Sequence, residues 1–178
     1  MTLTEIYEEV ATQPTDVQGH LGTFVELVVE LDASQVIELG SRSGVSTIAW
    51  LYALENRGHL WAVDVSPAPP IEGCEHWTFV QGDDCSPGVL AQLPYEVDIV
   101  FIDTSHAYEH TLRELELYLP RVRAGGRILL HDTELEYPEL IGPSVPFPVK
   151  RAIEAFCAQH DLTWTNHEHC NGLGIVEV

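Results

Sequence analysis

Two short polar runs, each directly after an apolar segment, are the parts of this sequence best equipped for chemistry. The first is Asp103-Thr104-Ser105-His106, after Asp98-Ile99-Val100-Phe101-Ile102. The second is His131-Asp132-Thr133, after Arg127-Ile128-Leu129-Leu130. If the apolar segments are neighbouring parallel strands, Asp103 and Asp132 arrive at one rim. Two carboxylates held that close repel unless a proton or a cation lies between them. A hard divalent cation such as Mg²⁺, with oxygen ligands and waters, meets that need. His106 lies three residues beyond Asp103 and can reach the same pocket, and imidazole is the usual general base near neutral pH.

Three more polar turns follow apolar segments. Glu38-Leu39-Gly40-Ser41-Arg42-Ser43-Gly44-Val45-Ser46-Thr47 leaves a strand and opens a helix. Its glycines permit a tight turn and close approach to a ligand. Free amides at the helix start suit a carboxylate or a phosphate. The spacing is not G-x-G-x-x-G, which argues against a dinucleotide. Asp64 ends the next strand, where a carboxylate can accept hydrogen bonds from both ribose hydroxyls. Asp83, in Gly82-Asp83-Asp84, either meets an adenine amino group or closes an Asx turn. His110 reads as a helix-surface residue. His59, His76, His160, His167 and His169 carry no assignment.

The elements that must position these residues follow from periodicity and breakers. Helices are expected over 4–12, with Thr4 as N-cap, and over 17–31, with Leu21, Phe24, Val25, Leu27, Val28 and Leu31 on one face. Strands are expected at 36–39, 60–63, 77–80, 97–102 and 127–130, with helices at 45–56, 86–93, 108–122 and 149–160. Pro67, Pro69 and Pro70 forbid a regular helix through 66–75. Gly125-Gly126 is read as the break after the fourth of these helices. A Pro-rich loop spans 133–148, and 162–166 with 174–178 form a closing hairpin around His169-Cys170-Asn171-Gly172. Apolar strands alternating with helices imply a parallel sheet covered on both faces. Ligands of such sheets lie at the carboxyl ends of the strands, near the switch point.

With 178 residues the chain fits one domain, N-terminal helices over 1–32 and a core over 33–178. Asp and Glu number 28 against 8 Lys and Arg, a net charge of −20. That balance opposes nucleic acid and anionic membranes as partners. No apolar run is long enough to span a bilayer. The start of the chain, with Glu5, Glu8 and Glu9, lacks the pattern of a secretory signal, so a cytoplasmic location is expected. Cys74, Cys85, Cys157 and Cys170 form no C-x-x-C pair and read as free thiols.

Taken in order, E-L-G-S-R-S-G-V-S-T, V-D, Q-G-D-D, D-I-V-F-I-D-T-S-H and G-G-R-I-L-L-H-D-T resemble the class I S-adenosylmethionine-dependent methyltransferases, over about residues 30–178. The resemblance implies a Rossmann-like three-layer α/β sandwich, its seven-stranded sheet mostly parallel with an antiparallel C-terminal hairpin strand. It implies Glu38, Gly40 and Gly44 beneath the methionine part of S-adenosylmethionine, with Ser41 and Ser46 near its carboxylate. Asp64 then holds the ribose, Asp83 the adenine side, and Asp103 borders the cofactor. The later motifs are similar to metal-assisted O-methyltransferases of the catechol, macrolide-sugar and cephalosporin types. On that likeness Asp103 and Asp132 are metal ligands and His106 is the base. Where those enzymes usually carry Asp-Asn or Glu-Asp, this chain has His131-Asp132-Thr133. Either His131 or Thr133 then replaces a ligand, or no metal is held.

The expected activity is methyl transfer to the hydroxyl of a small molecule or sugar, with 133–148 and the segment around Gln18 to His20 as candidate lids. Two rivals are a nicotinamide-dependent oxidoreductase on a similar sheet and a non-catalytic binding protein that kept the fold. A homo-oligomer is compatible with the sequence.

Overall fold

Apolar runs build the sheet first. In the computed structural model, which describes residues 2–55, 57–71, 74–136 and 145–178, the strands are β1 (Gln35–Leu39), β2 (His59–Asp64), β3 (Trp77–Gln81), β4 (Val97–Ile102), β5 (Val122–His131), β6 (Thr163–His167) and β7 (Leu173–Glu177). They form one sheet in the order β3-β2-β1-β4-β5-β7-β6. The first five are mutually parallel, and β7 runs antiparallel to both β5 and β6. The strand order reverses between β1 and β4, which places the crevice expected of a doubly wound sheet above that pair.

Every residue of β4 is buried, as its unbroken apolar run requires of a central strand covered on both faces. Alternate residues serve opposite faces. Val36, Ile99, Phe101 and Leu129 join Phe24 and Trp50 in one core, whereas Ile37, Leu39, Val100, Ile128 and Leu130 join Leu115, Tyr118 and Phe156 in the other. Phe24 stacks on Trp50 with ring centroids 4.4 Å apart. The helices are α1 (Leu3–Val10), α2 (Leu21–Glu30), α3 (Val45–Ala53), α4 (Pro87–Leu90), α5 (Tyr108–Tyr118) and α6 (Pro148–His160). None of the described helices is long and apolar enough to cross a membrane. All four cysteines are free.

Several boundaries differ from expectation for identifiable reasons. The first helix is capped by Thr2, not Thr4, because Thr2 and Glu5 close a reciprocal capping box. The stretch 17–31 is split into a 3₁₀ turn, Gln18–His20, and α2. A 3₁₀ turn at Leu119–Arg121 ends α5, since Pro120 has no amide to continue it. Gly125-Gly126 does not end a helix but lies inside β5. A Cβ on Gly126 would stand 2.6 Å from the Asp98 carbonyl oxygen, at the point where the β4–β5 pairing slips between Val97 and Ile99.

Asp98, on that irregular step, ties three strand starts together. Its Oδ2 accepts the amides of Ser34 and Gln35 at 2.7 and 2.8 Å, and its Oδ1 accepts from the Arg123 guanidinium. Burial opposes its charge, but these donors outweigh burial and hold its carboxyl below the ordinary 3.8. A folded-state value below the unfolded one gives stability that is present above pH 3.8 and lost as pH falls toward the folded value. Asp98→Ala should therefore cost about 3 kcal/mol at neutral pH, through the stranded guanidinium and amides. It should also flatten the acid limb of a thermal-unfolding profile taken from pH 7 to pH 3. An unchanged acid limb would show that other carboxylates carry it.

Candidate active site

The strand ends deliver the polar residues to one rim. Ile102 of β4 pairs with Leu130 of β5, so Asp103 emerges beside His131 and Asp132. The amide of Asp103 donates to the Leu39 carbonyl at 2.8 Å and that of Gly40 to the Val63 carbonyl at 2.8 Å, which fixes the ends of β1, β2 and β4 against one another. His106 has a left-handed backbone, φ +57°, and so does Asp132, φ +63°. Non-glycine residues held there concentrate at functional sites. His106 Nε2 lies 3.1 Å from Asp103 Oδ1 and 3.0 Å from Asp132 Oδ2. His131 Nδ1 faces the same two oxygens at 3.6 and 3.3 Å. The expected meeting of Asp103, His106, His131 and Asp132 is thus present. Thr133 instead donates to the Asn166 side chain at 2.7 Å.

This is a tight electrostatic knot. Burial disfavours the charged form of His106, but its two carboxylate partners override burial and push its pKa up to about 9. The same balance lifts His131 to about 11. Asp103 and Asp132, despite burial, are driven down by the two imidazoles. Asp103, His106 and Asp132 offer ligand atoms close enough together to share one metal ion.

Two cavities open beside the knot and share Gly40, Arg42 and Asp103 in their walls. One, of about 420 Å³, is lined also by Thr15 to Val17, Ser41 and Ser46. The other, of about 500 Å³, runs past Asp64, Asp83 and His110. Glu38 lines neither; it is fully buried, with Thr47 Oγ1 donating to Oε2 at 2.6 Å and Oε1 unpartnered. Burial raises its pKa to about 7 against the lowering effect of the Ser46 and Thr47 hydroxyls. Ser41 Oγ is buried and unpartnered at the first cavity. Gly44 also lies outside both walls; it caps α3 at φ +88°, its α-carbon facing Pro69 and Ile71. Asp64 accepts the amides of Arg42 and Ser66, one on each oxygen. Asp83 closes an Asx turn on Cys85 at 2.9 Å, as one of its two readings expects, and also lines the second cavity.

Two features escaped the sequence. His110 is not a bystander on a helix surface: it lines the second cavity, with Nε2 3.2 Å from Asp84 Oδ1 and 3.4 Å from Glu114 Oε1. Hydrogen bonds to those acids raise it to about 10. The His110–Glu114 spacing was a visible signal, but Asp84 comes from another strand end. His20 is not part of a loose lid: it is fully buried, and its Nε2 meets the Cys170 carbonyl at 3.2 Å. His131 Nε2 meets the same carbonyl at 3.0 Å. Burial lowers His20 to about 4, with His131 and His169 adding to the effect. The nearby Thr15 to Val17 do border the first cavity. Of the second candidate lid, Tyr137, Pro138 and Pro143 lie outside the described residues.

The methyltransferase-domain family matches residues 37–133. The chain is 26% identical over 146 residues to a rhamnosyl O-methyltransferase of Mycobacterium leprae, an alignment covering 75% of this chain and 62% of that protein. It therefore spans less than two thirds of that curated relative. Its fold is similar to the S-adenosylhomocysteine-bound methyltransferase PaMTH1 of Podospora anserina, with a TM-score of 0.66 and 15% identity over 98% of this chain and 86% of that one. It is also similar to the MycE methyltransferase of the mycinamycin pathway in complex with Mg and S-adenosylhomocysteine, with a TM-score of 0.66 and 21% identity over 90% of this chain and 49% of that one.

Proposed function

This chain belongs to the S-adenosylmethionine-dependent methyltransferase family, and from that premise we propose that it methylates a hydroxyl oxygen of a small molecule or sugar, with His106 as proton acceptor and a divalent cation assisting. The observation that carries the reading is the convergence of His106 Nε2 with the Asp103 and Asp132 carboxylates beside both cavities. The rhamnosyl O-methyltransferase relative acts, as its name states, on a rhamnosyl group, which supports a sugar hydroxyl as acceptor.

When bound, S-adenosylmethionine supplies an activated methyl group, and the protein's task is alignment. Ser41 and Ser46 border the cavity suited to the amino-acid end, while Asp64 and Asp83 border the one suited to the nucleoside. Glu38, buried outside both cavity walls, braces α3 through Thr47. A divalent cation fits the residues present, because Asp132 Oδ1 and His131 Nδ1 are buried without hydrogen-bond partners. Asp103, Asp132 and His131 would hold it, and it would lower the pKa of an acceptor hydroxyl. His106 takes a proton only in its neutral form. Neutralising the carboxylates that now hold it charged would favour that form.

The test is calorimetry of S-adenosylhomocysteine binding, followed by a panel of glycosides and phenols scored for S-adenosylhomocysteine release. Binding of that nucleoside but not of NAD(H), with turnover on a hydroxyl acceptor, is expected. Folded protein that takes up no S-adenosylhomocysteine would sink the reading.

A further inference from the structure

We propose that the cation site is built for a borderline transition metal such as Co²⁺, Ni²⁺ or Zn²⁺ in preference to Mg²⁺, because its third buried donor is the imidazole nitrogen of His131. The inference rests on the metal-assisted reading above and deepens it. Mg²⁺ favours oxygen donors in near-ideal octahedral order and gives up water reluctantly. Imidazole nitrogen suits zinc, copper, iron and nickel. One imidazole among the buried donors therefore shifts the preference of the whole site.

The geometry identifies Nδ1 of His131 as that donor. The ring is 1% exposed and lies on the central sheet, so it cannot swing out to water. Its Nε2 is engaged by the Cys170 carbonyl at 3.0 Å. A backbone carbonyl on the far nitrogen is the usual device that fixes the tautomer of a metal-ligating histidine. The carbonyl is itself anchored, since buried His20 contacts it at 3.2 Å. Nδ1 then faces Asp103 Oδ1 and Asp132 Oδ2 without forming a well-aligned hydrogen bond to either. His131 Nδ1, though within ion-pair distance of both carboxylates, and Asp132 Oδ1 are buried atoms that make no hydrogen bond, and leaving such atoms unsatisfied is costly. A cation shared by all three residues meets both needs. His106 differs: it rides a loop, its side chain is 23% exposed, and its Nε2 already sits within hydrogen-bond distance of both carboxylates.

The experiment is calorimetry on the EDTA-stripped protein, saturated with S-adenosylhomocysteine and titrated with MgCl₂ or CoCl₂. Wild type should bind Co²⁺ more tightly than Mg²⁺, and the ratio of the two dissociation constants should fall roughly tenfold or more in His131→Asn, which offers an amide oxygen in place of Nδ1. His131→Glu should move it the same way. Retained S-adenosylhomocysteine binding certifies that each variant is folded. Independently of any variant, Zn²⁺ added to wild type labelled with ¹⁵N-histidine should shift one Nδ1 resonance toward the metal-bound range. An unchanged ratio in folded His131 variants, a ratio that collapses in His106→Gln instead, or no Nδ1 shift overturns the inference. Metal uptake without nitrogen preference sinks this inference alone. Failure of every cation to bind a protein that still transfers methyl groups sinks the metal-assisted reading with it.

Discussion

Alanine at position 106 is expected to lower kcat by roughly 10²- to 10⁴-fold, the usual contribution of a positioned general base, while S-adenosylhomocysteine binds as in wild type. The two halves of that expectation come from different parts of the molecule. His106 touches the carboxylates of Asp103 and Asp132, at 3.1 and 3.0 Å, and lines neither cavity. Removing its ring therefore takes nothing from the walls that would receive the nucleoside. It does remove a charged partner from two acids, so the variant should be somewhat less stable. That loss is separable from the catalytic one by measuring kcat well below the unfolding temperature. A loss seen mainly in KM would recast His106 as a group that holds the acceptor. Full activity would remove it from the chemistry.

The site was legible in the sequence because strand ends are. β4 announces itself as an unbroken apolar run, and its end at Asp103 is then fixed; β5 ends at His131 for the same reason. Once adjacency of the two strands is granted, the meeting of Asp103, His106, His131 and Asp132 follows. The beginning of β5 was not legible. Gly125-Gly126 reads locally as a break, and only the close passage of Gly126 over the Asp98 carbonyl explains why glycine belongs inside a strand there. The Thr2 cap was available as a Thr-x-x-Glu pattern and was misplaced by two residues. What no local pattern carries is the link from His20 through the Cys170 carbonyl to His131, because it joins residues 150 positions apart. His110 shows the same limit: its helix face was visible, but Asp84 beside it comes from the turn after β3.

Gly40→Ala should be severely damaging, because at this position a left-handed backbone and a backbone clash coincide. Gly40 stands at φ +85°, where an L side chain is strained whatever the space around it. There is also no space: the added carbon would overlap the Asp103 carbonyl oxygen and lie 2.7 Å from the carbonyl carbon. Both neighbours are backbone at the end of β4, held by the Asp103 amide on the Leu39 carbonyl, so neither can rotate away. Left-handed strain and overpacking together put the cost on the order of 4 kcal/mol. For a domain of this size that is a fall of roughly 8–16 °C in Tm. The structure can relieve the clash only by pushing Asp103 off the end of β1, which pulls its carboxylate from His106 and distorts the wall that both cavities share. Loss of S-adenosylhomocysteine affinity should accompany the loss of stability. Gly88→Ala is the matched control, since a carbon added there meets nothing within 4 Å inside α4; helix propensity makes it neutral to stabilising by about 0.5–1 kcal/mol. If Gly40→Ala melted with wild type and bound the nucleoside equally well, the close packing of β1 against the Asp103 carbonyl would not be what holds the site together.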